Sequence, residues 1–253
     1  MTKIALITGA TSGIGKATAE LLAQKKYNLI ITGRREERLT QLANQLTQNH
    51  YIKVYNGVFD IRNYSEVENF VNQLPNEWKN IDVLVNNAGL ASGLSLLHQG
   101  NIADWEKMID TNVKGLLYIT RLVAPIMVER KTGHIVNISS IAGKEVYANG
   151  NVYCATKFAV DALNKAMRIE LSSVPVKVTS INPGAVETEF SIVRFGGDEQ
   201  RAKKVYEGFE SLLAEDIADA IWYAISRPPH VNINEMIIMP TAQPQAGVIH
   251  RKV

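Results

Sequence analysis

The sequence predicts an α/β protein: one doubly wound domain in which a seven-stranded parallel sheet is flanked by helices. Three observations carry that reading. Short apolar runs alternate with longer segments of helical period from one end of the chain to the other, as in repeated strand–helix–strand units. Most of the apolar runs are rich in β-branched residues and lack polar alternation, as expected of strands covered by helices on both faces. No linker, internal repeat or low-complexity tract interrupts the 253 residues, a length that one α/β unit commonly uses.

Strands are expected at Ile4 to Thr8, Asn28 to Thr32, Ile52 to Phe59, Ile81 to Asn86, His134 to Ser139, Lys177 to Asn182 and Glu235 to Met239. Between them, apolar residues at helical spacing predict helices over Ile14 to Gln24, Glu36 to Thr47, Glu66 to Leu74, Asp104 to Glu129, Val152 to Ser172 and Ala214 to Ile225. Ser65 and Asp104 are the expected N-caps. Residues 187–210 break the rhythm after the sixth strand, with Gly196-Gly197 among charges and aromatics. Loops that follow strand C-termini in open α/β sheets are where ligands bind, so this segment is expected to be a substrate lid within the single domain 1–253. The tail from Thr241 onward, with Pro244, reads as an arm.

Composition narrows the function classes. Hydrophobic residues make up 46% of the chain and charged residues 21%, ordinary values that argue against disorder or a disulfide scaffold. A net charge of +2, from 27 basic and 25 acidic residues, gives no electrostatic footprint for nucleic acid or an anionic membrane, and the expected partner is a small molecule. Cys154 is the only cysteine. The five histidines, His50, His98, His134, His230 and His250, are scattered without ligand spacing, so no metal is expected. The N-terminal stretch has no charged region followed by a long apolar core, and no apolar run approaches the ~18 residues that span a bilayer. Export is not expected, and a cytoplasmic location is.

The first chemical signal follows the first strand: Thr8-Gly9-Ala10-Thr11-Ser12-Gly13-Ile14-Gly15 opens the first helix. Glycines permit a tight turn and let backbone N–H groups approach a pyrophosphate, while the helix N-terminus presents the positive end of its dipole. A dinucleotide suits that place. A nucleotide-hydrolysing P-loop does not, because Ala10 stands where its spacing needs a glycine and Ala17 where it needs Ser or Thr. At the end of the second strand, where a carboxylate would bind the ribose diol of NAD, the chain reads Thr32-Gly33-Arg34-Arg35. Guanidiniums there favour the 2'-phosphate of NADP, with Arg34 the stronger candidate of the two.

Tyr153 and Lys157 are four residues apart and share one face of a helix. A free tyrosine has a pKa near ~10, and a nearby ammonium is expected to lower it into a usable range for proton transfer. Ser140, just past the fifth strand, can turn its hydroxyl toward the same crevice and hold a substrate oxygen.

Together these segments resemble a known family, the short-chain dehydrogenase/reductases, over the whole chain. The resemblance rests on five ordered motifs: Thr8-Gly9-x-x-x-Gly13-Ile14-Gly15, Asn86-Asn87-Ala88-Gly89, Ser140, Tyr153-Cys154-Ala155-Thr156-Lys157 and Pro183-Gly184. It implies a Rossmann-type fold, an NAD(P)-dependent oxidoreductase and a catalytic tetrad of Asn112, Ser140, Tyr153 and Lys157. In such a tetrad the tyrosine is general acid or base, the serine orients the substrate oxygen, the lysine binds the nicotinamide ribose, and the asparagine completes a proton relay. It also implies cofactor contacts at Asp60, Ile61, Asn87, Pro183, Gly184, Val186 and Thr188, beside those already placed at Gly9, Thr11, Ser12, Gly13, Ile14, Gly15, Arg34 and Arg35. A homotetramer is the assembly that the resemblance implies.

Three further stretches resemble the branch of NADP-dependent serine, allo-threonine and other 3-hydroxy acid dehydrogenases. They are Asp104-Trp105 through Asp110-Thr111-Asn112, Glu187-Thr188-Glu189-Phe190-Ser191 through Val193-Arg194-Phe195, and Val231-Asn232-Ile233-Asn234. That resemblance implies reversible oxidation at the 3-hydroxyl of L-serine, L-allo-threonine, 3-hydroxyisobutyrate or 3-hydroxypropionate. A buried carboxylate needs a cation, and Arg194 in the expected lid is the candidate. Cys154, beside the catalytic tyrosine, departs from the smaller residue expected in this branch. A broad carbonyl or 3-oxoacyl reductase shares every one of the catalytic motifs and is separated from this reading by the lid and C-terminal stretches. A non-catalytic NADP sensor is opposed by the complete tetrad.

Overall fold

The computed structural model describes residues 2–252. In chain order it comprises β1 (Ile4–Thr8), α1 (Gly13–Gln24), β2 (Asn28–Gly33), α2 (Glu36–His50), β3 (Val54–Val58), α3 (Tyr64–Asn72), β4 (Ile81–Asn86), α4 (Ile102–Ile109), α5 (Gly115–Arg130), β5 (Gly133–Ile138), α6 (Asn151–Glu170), β6 (Val176–Pro183), α7 (Phe190–Arg194), α8 (Glu199–Lys204), α9 (Ala214–Ile225) and β7 (Glu235–Ile238). The strands form one seven-stranded sheet in the order β3-β2-β1-β4-β5-β6-β7, and every neighbouring pair is parallel.

Alternation along the strands feeds a core on each face of the sheet. Ala5 and Ile7 of β1 join Leu22 of α1, Leu39 and Leu42 of α2, and Ile217 and Ile221 of α9. Ile4 and Leu6 of the same strand point the other way, to Val67 and Val71 of α3 and Ile119, Val123 and Met127 of α5. The strand order reverses between β1 and β4. Connections there leave the sheet in opposite directions and open a crevice beyond the strand C-termini.

The structure corrects several boundaries. The third strand is confined to Val54–Val58. The cap of α3 is Asn63, whose Oδ1 accepts from Ser65 N at 3.1 Å and Glu66 N at 3.4 Å, so the helix starts before the expected Ser65 cap. Asn101, rather than Asp104, caps α4 by accepting from Ala103 N at 2.8 Å. Asp104 instead accepts the Ser92 hydroxyl at 2.6 Å. The single long helix expected over residues 104–129 is divided into α4 and α5 by a π-helical turn, Asp110–Lys114. Residues 187–210 contain two short helices, α7 and α8, separated by Gly196 and Gly197 at φ +64° and +99°. The tail folds back onto its own chain: Gln243 is buried, and its Oε1 accepts from Ala185 N at 2.8 Å. No helix among the described residues is long and apolar enough to cross a membrane.

His134 on β5 is buried, with Nε2 2.7 Å from Thr179 Oγ1. The Thr179 hydroxyl donates to Ile233 O, so it accepts from His134, which fixes the Nε2–H tautomer. Burial lowers the imidazole pKa to about 3. The unfolded chain therefore binds a proton that the folded chain refuses, and stability falls with acidification from ~6.5 toward that value, by up to ~1.4 kcal/mol per pH unit. Urea unfolding at pH 7 and pH 5 is expected to show this loss in the parent chain, and a smaller one in His134→Gln.

Candidate active site

The crevice at the strand C-termini is a cleft with a volume of ≈ 490 Å³. Its walls include Gly9, Thr11, Ser12, Gly13 and Ile14 of the first turn, Arg34 and Arg35 after β2, and Asp60 and Ile61 after β3. Asn87, Ser140, Tyr153, Lys157, Pro183, Gly184, Val186, Thr188 and Arg194 complete the set of expected residues that it gathers. Gly15 and Asn112 are the expected site residues that stand behind the wall, both buried.

The first turn is built by cross-ties between β1 and β4. Thr8 Oγ1 accepts from Asn87 N and Ala88 N, each at 3.0 Å. Asn87 Nδ2 donates to Thr8 O at 2.8 Å and Gly9 O at 3.1 Å, so this amide is committed to shaping the turn. Gly9 and Gly13 have φ of +67° and +52°, the left-handed region that glycine occupies without steric cost. Gly15 is required for a different reason: a Cβ there would lie 2.4 Å from Asn87 Nδ2 and 2.5 Å from Gly9 O.

Beside the turn lies a cationic group. Arg35 donates from Nε and Nη2 to Thr11 Oγ1, at 3.0 and 2.7 Å, and from Nη2 to Ser12 Oγ at 2.8 Å. Its Nη1 reaches Glu189 Oε2, and Arg38 Nη1 reaches Glu189 Oε1, both at 2.7 Å. Arg34 is more than half exposed and has an ionic contact with Asp60 at 3.8 Å. Asp60 is held mainly by Arg62, whose hydrogen bonds keep its carboxyl below the usual range. Arg38 was missed in the sequence, although it follows Arg34 and Arg35 by one helical turn. Glu189 had no such signal, because its partners lie about 150 residues away in sequence.

Deeper in the cleft, α6 presents Tyr153 and Lys157 on one face, both nearly buried. Lys157 Nζ donates to Ile138 O at 2.9 Å and lies 5.8 Å from the centre of the Tyr153 ring. Ser140 Oγ accepts from Ala142 N at 3.1 Å and donates to Pro183 O at 3.4 Å. Burial pushes Tyr153 upward, with the nearby Ser140 hydroxyl opposing it. Burial also lowers Lys157 to about 8. The expected lowering of the tyrosine by the lysine is thus absent from the chain alone, because desolvation penalises both charged forms and dominates.

Asn112 acts as a clamp behind this pair. Its Oδ1 accepts from Leu90 N at 2.8 Å, and its Nδ2 donates to Leu90 O at 2.8 Å and Thr156 Oγ1 at 3.0 Å. The π-turn that carries it swings the side chain away from the helix ladder, between the loop after β4 and α6.

Over the far end of the cleft, Arg194 Nη2 donates to Tyr147 Oη at 2.9 Å, and its Nε donates to Gly93 O at 3.4 Å. Its guanidinium lies 5.6 Å from the ring centres of both Tyr147 and Tyr153. Phe190, on the same short helix, packs edge-on against Tyr153 at 5.6 Å. Tyr147 was missed in the sequence, where nothing local distinguishes it from a surface tyrosine. Cys154 is buried on α6 in the cluster that includes Tyr153, Leu90 and Met108.

A protein-family model described as short chain dehydrogenase matches residues 3–195. The chain is 48% identical over 251 residues to "NADP-dependent 3-hydroxy acid dehydrogenase YdfG" of Escherichia coli (strain K12), a match covering 98% of this chain and 100% of that protein. It is 43% identical over 244 residues to "Sulfoacetaldehyde reductase 2" of Chromohalobacter salexigens, covering 96% of each. Among solved structures it is similar to "The Closed form of serine dehydrogenase complexed with NADP+", with a TM-score of 0.93, 47% identity and coverage of 98% and 100% of the two chains.

The tight approach at Gly15 yields a stability test. Gly15→Ala is expected to destabilise the fold by ~1–3 kcal/mol through overpacking, read as a lower denaturant midpoint. An unchanged midpoint would show that the turn can shift away from β4 without loss.

Proposed function

The chain belongs to the short chain dehydrogenase family, and from that premise we propose that it is an NADP-dependent oxidoreductase acting at the 3-hydroxyl of small 3-hydroxy acids. L-serine, L-allo-threonine, 3-hydroxyisobutyrate and 3-hydroxypropionate are the substrates of this reading. The observation that carries the substrate class is Arg194, whose guanidinium lies beside the Tyr153 ring with the Tyr147 hydroxyl bonded to it. A cation and a hydroxyl donor form a receptor for a compact anion. Similarity to proteins named for 3-hydroxy acid and serine dehydrogenation supports the same reading.

The cleft fits the cofactor. At Gly13 a Cβ would crowd Thr188 and fill the cradle, and the first turn opens α1, whose N-terminal N–H groups suit a pyrophosphate. Arg34 stands where a 2'-phosphate needs a guanidinium, Arg35 beside it orders the turn through Thr11 and Ser12, and Asp60 and Ile61 border the adenine end. Pro183, Gly184, Val186 and Thr188 border the nicotinamide end.

When bound, NADP(H) accepts or supplies the hydride. The chain manages the proton. Tyr153 Oη takes it from the substrate hydroxyl during oxidation and returns it to the carbonyl oxygen during reduction. Ser140 Oγ holds that oxygen in place. Lys157, one helical turn on, holds a nicotinamide ribose hydroxyl and, when protonated, favours the phenolate. Asn112 fixes the position of α6 through Thr156. Residues 187–210 form the lid that excludes water and delivers Arg194. A homotetramer belongs to the same reading, supported by exposed apolar residues Leu117 and Phe158 on α5 and α6, and sedimentation velocity tests it.

Initial rates of reduced-nicotinamide formation test the function, with NADP or NAD against these acids and with simple aldehydes and sulfoacetaldehyde in reverse. Turnover of the acids with an NADP preference is expected. Activity confined to neutral carbonyls would overturn the acid reading. Arg194→Ala is expected to raise KM for L-serine by roughly tenfold or more, the scale of one charge-assisted hydrogen bond. It should leave a neutral aldehyde far less affected, and an unchanged KM for the acid would remove Arg194 from the site. Tyr153→Phe should lower kcat by ~100-fold or more, as loss of a general acid–base group does.

A further inference from the structure

We propose that Glu189 is a positioning residue: its ion pairs with Arg35 and Arg38 latch α7 across the cleft, which places Arg194 and retains the cofactor beneath. The inference rests on the NADP-dependent reading and deepens it.

One carboxylate joins three elements. Glu189 immediately precedes α7, and each of its oxygens lies 2.7 Å from a different arginine, Oε2 from Arg35 and Oε1 from Arg38. Arg38 lies in the first turn of α2. Arg35 uses its remaining directions on Thr11 and Ser12 of the first turn. The bond therefore runs from α7 to α2 and onward to the floor of the cleft. At the opposite end of α7, Arg194 is tied to Tyr147 and Gly93, and its backbone carbonyl accepts from Gly93 N at 3.0 Å. A helix of five residues has too few internal hydrogen bonds to hold its own shape. These two attachments hold its ends, while between them Phe190 is seated on Tyr153 and buried Ser191 lies 2.7 Å from the Tyr206 hydroxyl.

An isolated half-exposed pair contributes little. Here two guanidiniums share one carboxylate, and Arg35 is already ordered by two hydroxyls, so less side-chain freedom is lost in forming the second bond. The arginines hold the Glu189 carboxyl below its usual range, against the effect of burial. Arg34 is left with its 3.8 Å contact to Asp60 and is free to meet a 2'-phosphate without breaking the latch. Glu189 is thus a strap over the cofactor and not a competitor for its phosphate.

The test measures release of NADPH and of NADH by stopped-flow fluorescence from the parent chain, Glu189→Gln, Arg38→Gln and the double variant, with circular dichroism confirming the fold. Glu189→Gln is expected to release both cofactors about fivefold faster, and Arg38→Gln, which keeps the Arg35 pair, by a smaller factor, with KM for L-serine raised more than kcat is lowered in each. The double variant should be no worse than Glu189→Gln alone, because Arg38 reaches α7 only through that carboxylate. Slower release of NADPH with NADH unchanged in Glu189→Gln would identify the carboxylate as a phosphate competitor and overturn the latch. Unchanged release of both cofactors, or strictly additive variants, would reduce the contact to a surface pair and also overturn it. A parent chain that shows no saturable NADPH binding would overturn the cofactor reading itself, and the latch with it.

Discussion

Desolvation of Tyr153 and Lys157 is the constraint around which the site is organised. A lysine this deeply buried loses affinity for its proton, and a buried tyrosine holds its proton more tightly. Both placements are costly and persist only because neighbouring elements hold them. Ile138 at the end of β5 gives the ammonium a carbonyl. Asn112 fixes α6 against the loop after β4, using donor and acceptor together. The π-turn between α4 and α5 is the local departure from regular helix that brings the amide to this place.

The reversal of strand order between β1 and β4 provides the space for that arrangement. Thr8 and Asn87 tie the two strand ends together through side-chain-to-backbone bonds, so the glycine turn is held rigidly beside the reacting pair. Cations stand at both ends of the cleft, the arginines after β2 on one side and Arg194 on the other. This charge pattern suits two anions bound end to end, the phosphorylated cofactor and the acid substrate of the proposed reading.

Much of this was legible in the sequence. Apolar runs such as Ile4-Ala5-Leu6-Ile7 and Val83-Leu84-Val85 have one reading in a sheet covered on both faces. The glycine turn and the Tyr153–Lys157 spacing identify themselves because backbone approach and helical geometry are local properties. The π-turn was hidden because apolar residues keep helical spacing through it, and one extra residue in a turn leaves no mark in that pattern. The caps at Asn63 and Asn101 were displaced by neighbouring polar residues that could serve equally well on local grounds. Tyr147, Glu189 and Gln243 act through partners 47, 154 and 58 residues away, distances over which periodicity carries no information. The tyrosine pKa was misread for a related reason. Spacing reveals the nearby lysine, whereas the dominant effect is burial by Phe190, Leu90 and Met108, and only folding assembles those around it.

The most direct test of this electrostatic picture is an alkaline spectrophotometric titration of tyrosinate in the parent chain minus Tyr153→Phe, with and without saturating NADP+. In the ligand-free protein the Tyr153 difference signal should emerge only well above the ~10 of free tyrosine. It should move to lower pH in the cofactor-loaded protein, where a cationic nicotinamide held at Tyr153 and Lys157 would favour the phenolate. Ionisation of Tyr153 below that reference in the ligand-free chain, or a signal that the cofactor does not move, would contradict the claim that burial sets the resting proton and the bound cofactor completes the poise.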